Sequence, residues 1–163
     1  REDAGGSNRV DSFTSNGDHR MSPFRLEVVT AERELYSGDV DQLIAPSRQG
    51  QVTILPNHAP LLSQLESGLL EYRVGGEDQA LAVTGGFMEV MGNRAVILAD
   101  SAERAEEIDE ARAQAAFDKA EERMASRDTD IDFERAVQQL ARARTRLQVA
   151  RRHRPMAPTR PTG

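Results

Sequence analysis

Apolar and polar positions alternate along the first two-thirds of the chain and then change period. In Phe24–Val29, the side chains of Phe24, Leu26 and Val28 fall on one face of an extended segment. Similar short segments follow at 34–40, 41–45, 51–55, 68–74, 79–83, 87–91 and 95–99. Turn-forming residues punctuate them: Ser37-Gly38-Asp39, Pro56-Asn57, Gly75-Gly76, Gly85-Gly86 and Gly92-Asn93. Gly92-Asn93 lies between two alternating runs and reads as a hairpin turn, whereas Gly85-Gly86 reads as the stop between two separate strands. Residues 101–108 are expected to add a last edge strand. Eight or more short strands with no helix between them predict an antiparallel sandwich or barrel over 21–108.

Beyond Asp109 the apolar spacing becomes three and four. Ala113, Phe117, Ala120 and Met124 form one stripe, and Phe133, Ala136, Leu140, Ala143, Leu147 and Ala150 form another. The polar run Ser126-Arg127-Asp128-Thr129-Asp130 separates them. The pattern predicts two antiparallel helices over 109–154. Asp109 is the expected N-cap of the first, with Glu110 facing the positive end of its dipole, and Asp130 or Asp132 the N-cap of the second. Pro155 and the prolines after it end the second helix near Arg154 and leave a loose tail over 155–163. Residues 1–20 are polar and aperiodic and are expected to be disordered, as a natural extension or a cloning remnant. The fold class is α+β, mainly β. A seam rich in alanine buries little area at ~0.8 kcal/mol per methylene, so the hairpin is expected to dock, undock or extend.

Composition narrows the function classes. The chain of 163 residues is 38% hydrophobic and 29% charged, with no cysteine and no tryptophan. That excludes disulfides and thiolate metal sites. No apolar run approaches the ~20 residues of a membrane helix. His19, His58 and His153 stand in unrelated contexts without ligand spacing. There is no phosphate loop of the Gly-x-x-x-x-Gly-Lys type and no Gly-x-Ser-x-Gly elbow, so no residue set supports a hydrolase. The net charge of −6 conceals an asymmetry. The second helix carries Arg135, Arg142, Arg144, Arg146, Arg151, Arg152 and Arg154 against two acids, Asp132 and Glu134. Such a helix meets an anionic partner or is simply a solvated face. A stand-alone nucleotide- or nucleic-acid-binding module is the competing reading. The acidic chain and the lack of aromatics among the arginines argue against nucleic acid.

Gly50 and Ile54-Leu-Pro-Asn-His-Ala-Pro-Leu61 resemble the Gly-x-x-x-Ile-Leu-Pro-x-His-Ala-Pro-Leu signature of the epsilon subunit of F-type ATP synthases. Phe24-Arg-Leu-Glu-Val-Val-Thr, Gly85-Gly86-Phe87 with Asn93 and Val96, Leu98-Ala-Asp-Ser-Ala-Glu103 and Ile108-Asp-Glu-Ala-Arg-Ala113 match in the same order. The likeness covers about 21–152 and departs at Thr53, where the family has Gly.

The resemblance implies a flattened β-sandwich with a C-terminal helical hairpin and a non-catalytic rotor role at the cytoplasmic face of the cell membrane, reached only through the complex. The sandwich would bind the gamma subunit and rest on the c-subunit ring, with the loop 47–53, Gln51 and His58 at that docking surface. The helices would switch between a hairpin and an arm that enters the head of alpha and beta subunits and opposes ATP hydrolysis. Arg135, Arg144, Arg151 and Arg152 would then meet an acidic loop of the beta subunits. No cofactor is required. In bacterial relatives the hairpin binds ATP as a regulatory ligand, around a motif matched by Ile108, Asp109, Arg112 and Ala113. Glu103, Arg142 and Arg146 match further residues of that site by position, and Lys119 stands where a strongly binding relative has Arg. Local capping by Asp109 and local pairing of Arg112 are the alternative.

Overall fold

The computed structural model describes residues 22–126 and 132–152. The expected extension over 1–20, the tail over 155–163, the turn residues 127–130 and the histidines His19 and His153 lie outside the described residues.

Eight strands come first: β1 (Phe24–Val29), β2 (Glu34–Val40), β3 (Gln42–Ser47), β4 (Gly50–Ile54), β5 (Leu61–Gln64), β6 (Gly68–Val74), β7 (Glu77–Met91) and β8 (Arg94–Arg104). One 3-10 turn (Ala105–Glu107) leads into α1 (Glu110–Ala125) and α2 (Phe133–Arg152). The strand order is β2-β1-β8-β7-β6-β3-β4, with β5 also paired to β7. Every named pair is antiparallel except β1 with β8, which run parallel.

The sheet folds over onto itself to make the sandwich. Strands β5 and β6 follow one another along one edge of β7 in a single register, Gln64 opposite Phe87 and Gly68 opposite Val83. Tyr36 of β2 and Tyr72 of β6 are far apart in strand order, yet their ring centroids are 4.4 Å apart. Phe24, Leu26, Val28, Leu43, Leu70, Leu81, Val83, Met88 and Ile97 fill the space between the walls. These are the inward positions of the period-two pattern.

Three expectations need correction. Strand β7 runs unbroken through Gly85 and Gly86, which adopt φ of +59° and +106° and bend the strand instead of ending it. Its register with β8 continues on either side, Thr84 opposite Ser101 and Gly86 opposite Ala99. A Cβ on Gly86 would lie 2.0 Å from the Leu98 carbonyl oxygen, so only glycine lets the two backbones approach. Residues 101–104 are not a separate strand but the far end of β8, paired with β7 alone because β1 reaches only Arg94–Leu98, and 105–107 form a 3-10 turn instead of continuing the strand. Strand β5 was not foreseen, because four residues beside Pro60 are too few for alternation to register. The Gly92-Asn93 turn, by contrast, has both residues at φ of +59°, as a tight hairpin requires.

Both helices start where short polar side chains supply an acceptor. Asp109 Oδ1 accepts from the Arg112 amide at 3.0 Å, and Asp132 Oδ1 from the Arg135 amide at 3.1 Å. Ala113, Ala120, Ala136, Ala143 and Leu147 are buried along the helical seam. Phe133 is not part of it, being 66% exposed, and Phe117, Met124 and Leu140 are only half-buried. Helix α2 instead has a second buried face, Thr145 and Val149. That face lies on the sandwich, where Val149 joins Leu69, Ala82 and Ile108 in one apolar cluster. The hairpin therefore covers the outer side of β6 and β7. This explains why Leu69-Leu70 and Leu81-Ala82-Val83 are buried on both faces. The Thr145 hydroxyl donates to the Ala141 carbonyl at 2.9 Å, which satisfies it inside the contact.

Candidate functional site

Taking roughly 100° per residue, Arg142 and Arg146 fall between the two buried faces of α2. They therefore point into the crevice where α1, α2 and the sandwich meet. A cleft of about 810 Å³ occupies that crevice. Helix α1 contributes Ala116, Lys119, Ala120 and Arg123, and α2 contributes Gln139, Arg142, Ala143 and Arg146. The sandwich contributes the turn Thr30-Ala31-Glu32-Arg33, then Thr84 of β7, four residues of β8 from Asp100 to Glu103, and Glu107.

The sandwich wall is rigid. Thr30 Oγ1 accepts from the amides of Glu32 at 3.3 Å and Arg33 at 3.2 Å, and the Thr30 amide donates to the Arg33 carbonyl at 2.9 Å. Arg33 grips Glu107 with both arms of its fork, Nη1 to Oε1 at 2.7 Å and Nη2 to Oε2 at 2.6 Å. The Arg104 amide also donates to Glu107 Oε2 at 3.0 Å. These bonds, the Arg33 pair first, hold the Glu107 carboxyl down at a pKa of about 2. Thr84 Oγ1 and Ser101 Oγ are hydrogen-bonded at 2.7 Å on the floor.

The cations of the hairpin are less well matched. Arg146 reaches Glu103, with Nη2 donating to Oε1 at 3.0 Å. Arg123 donates to the amide oxygen of Gln139 at 3.2 Å. Among the described residues, no carboxylate forms an ion pair with Lys119, Arg123 or Arg142. The carboxylates of the opposite wall do not pair with these three cations, which repel each other, and a polyanion between them would relieve that.

Of the six residues expected at an ATP site, Glu103, Lys119, Arg142 and Arg146 line this cleft. Asp109 and Arg112 do not; the Asp109 side chain caps α1 by accepting from the Arg112 amide, and the Arg112 side chain is exposed. Sequence reasoning missed Arg33, Arg123 and Gln139. Arg123 was findable, being one turn beyond Lys119 on the same helix. Arg33 was not, because 74 positions separate it from Glu107.

The four arginines expected to face an acidic partner loop divide into two pairs. Arg151 donates to Gln114 at 2.7 Å and pairs with Glu110 at 3.4 Å, and Arg152 pairs with Glu71 of β6. Arg135 and Arg144 are exposed. Gln51 lies exposed on edge strand β4, and His58 in the loop after it. There the His58 amide donates to the Leu55 carbonyl at 3.1 Å and its Nδ1 lies 2.8 Å from the Ala59 carbonyl. Large apolar side chains are exposed elsewhere on the sandwich. Phe87 and Leu98 face each other across β7 and β8 at 52% and 56% exposure, beside Leu62 and Met91 at 71% and 60%.

Fold and cleft together define a class: a β-sandwich carrying a docked helical hairpin, with a basic crevice between the two. Residues 23–105 match the family model of the β-sandwich domain of the ATP synthase delta/epsilon chain, and 106–151 that of its long α-helix domain. The chain belongs to the delta/epsilon family of ATP synthase subunits. It is 52% identical over 132 residues to the ATP synthase epsilon chain of Herpetosiphon aurantiacus, covering 81% of this chain and 97% of that one. To the epsilon chain of Chloroflexus aggregans it is 48% identical over 132 residues, covering 81% and 95%. The same fold occurs in a chain of the Euglena gracilis mitochondrial ATP synthase, with a TM-score of 0.70, 23% identity and coverage of 83% and 86%.

Proposed function

We propose that this chain is a non-catalytic central-stalk subunit that couples rotation of the c ring and gamma subunit to ATP synthesis, and that its hairpin restrains ATP hydrolysis in response to ATP. The observation that carries the regulatory part is the cleft at the junction of sandwich and hairpin, where Lys119, Arg123 and Arg142 converge without carboxylate partners among the described residues. ATP bound there bridges sandwich and hairpin without being hydrolysed, since phosphate charge is stabilised and no nucleophile is activated. At about 100 times its dissociation constant, ATP adds about 2.7 kcal/mol to the docked state. That is enough to shift a near-balanced equilibrium.

When ATP leaves, the alanine seam releases the helices. Arg151 and Arg152 exchange Glu110 and Glu71 for the acidic loop of the beta subunits and join Arg135 and Arg144, which are already free to pair. Exposed pairs contribute about 0–1 kcal/mol each, so the arm needs several of them together. The apolar face of Leu62, Phe87, Met91 and Leu98 suits the gamma subunit, and the β3–β4 hairpin bearing Gln51 the c ring. The subunit is peripheral at the cytoplasmic face of the membrane, held there by the complex.

The test is a reconstituted complex whose copy of this chain ends after Ile108. Faster hydrolysis that no longer responds to ATP concentration is expected, with coupling retained. Unchanged hydrolysis and an unchanged ATP response would overturn the regulatory reading.

A further inference from the structure

One wall of the cleft does not belong to the hairpin. Among the described residues of the lining, the sandwich side carries Glu32, Asp100, Glu103 and Glu107 and a single cation, Arg33. On this wall a phosphate chain meets four carboxylates and the hydroxyls of Thr30, Thr84 and Ser101, and Arg33 is the one positive charge. Arg33 is also the best-fixed cation of the cleft. Its backbone is closed into a turn by Thr30, and its fork is held at both arms by Glu107. A guanidinium has five N–H groups, and the clasp uses two.

We infer that Arg33 is a phosphate-binding residue contributed by the sandwich, so that a nucleoside triphosphate in the cleft is gripped from both sides, by Arg33 on one and by Lys119 and Arg142 on the other. The assignment rests on ATP occupying the cleft. It gives a physical reason for ligand binding to dock the hairpin. Cations confined to the hairpin would bind ATP equally well whether or not the helices touched the sandwich, and a ligand with equal affinity for two states shifts neither. A cation on the sandwich makes affinity depend on docking. Glu107 then has two effects: it orients Arg33, and it places a negative charge beside the phosphates.

The two roles separate in a titration of the full chain with ATP and, in parallel, inorganic tripolyphosphate. Arg33→Ala is expected to weaken both ligands about three- to tenfold, as loss of one charge-assisted contact does at a half-exposed, solvent-screened side chain. Glu107→Gln keeps the cation, removes a repelling charge and is expected to bind as tightly as the unaltered chain or more tightly. If Arg33 serves only to clasp the 3-10 turn, both variants will weaken alike, and that result overturns the assignment. So does Arg33→Ala binding both ligands as the unaltered chain does. Should Arg33→Ala fail to fold, the Arg33 Nε–H resonance of the unaltered chain decides. A clear shift on adding tripolyphosphate supports the contact, and an unmoved signal at saturation overturns it. Absence of ATP binding by the unaltered chain is a distinct result, which removes the ATP reading itself.

Discussion

Arg146 of α2 lies side by side with Glu103 of β8, its Nε 2.7 Å from Oε2 and its Nη2 donating to Oε1 at 3.0 Å. The Nε is buried and not aligned for a hydrogen bond, so the pair is held by charge more than by direction. It joins hairpin to sandwich on the inner wall of the cleft. Glu103→Ala strands a partly buried guanidinium and is expected to weaken docking by about 1–2 kcal/mol. Amide hydrogen exchange should rise in α2 while β1–β4 stay protected. Equal acceleration throughout the chain would show that the pair stabilises the whole fold instead.

The apolar half of the same contact centres on Val149, which is fully buried against Leu69, Ala82 and Ile108. Val149→Ala deletes two methyl groups and should cost about 1–2 kcal/mol of docking. Because that seam is thin, the loss should appear as faster amide exchange in α2 before global unfolding. A variant indistinguishable from the unaltered chain would place the docking energy elsewhere.

Gly86 supports the sandwich itself. Its φ of +106° and the 2.0 Å approach of an added Cβ to the Leu98 oxygen leave no room for a side chain. Gly86→Ala is expected to cost about 2–4 kcal/mol, since strain and displaced β7–β8 backbone add. Denaturant unfolding measures it, and a cost under about 1 kcal/mol would mean that the strand bends by another route.

Glu107 links stability to pH. Its pKa falls from 4.5 to about 2 on folding, chiefly through Arg33. A carboxyl lowered in this way stabilises fully above the unfolded value and loses its contribution as pH falls from about 4.5 towards 2. Unfolding midpoints followed from pH 6 to about pH 2 should therefore fall less steeply in Glu107→Gln than in the unaltered chain. Parallel curves would mean that the clasp contributes nothing net to folding.

Lys119 lines the cleft as a point charge where a fork would bind phosphate bidentately. Lys119→Arg is expected to tighten ATP severalfold and Lys119→Ala to loosen it, both read by calorimetric titration. No change in either would put the phosphates beyond the reach of this part of α1.

Much of the fold was legible because side-chain period is a local property. Phe24, Leu26 and Val28 announce a strand, and Asp109 announces a helix start that the structure realises through the Arg112 amide. Phe133 misled, since its three–four spacing places it on the Ala136–Ala143 stripe, while as the first residue of α2 it is 66% exposed. Val149 misled in the opposite direction. It is off the stripe and yet fully buried, because the sandwich covers the face it occupies.

Local spacing by itself determined the two-part plan, the Asp109 cap, the choice of Asp130 or Asp132 for the second helix and the Gly92-Asn93 turn, while the four cleft residues Glu103, Lys119, Arg142 and Arg146 came from the family resemblance, motif and position together. Only the tertiary structure decided that β7 passes through Gly85 and Gly86 without stopping, that β8 lies between β1 and β7 over Arg94–Leu98, and that Arg33 faces the hairpin. The reason is that a strand's neighbours and a side chain's distant partners depend on how the sheet closes. Closure joins positions as remote as Arg33 and Glu107, whose separation along the chain leaves no periodic trace.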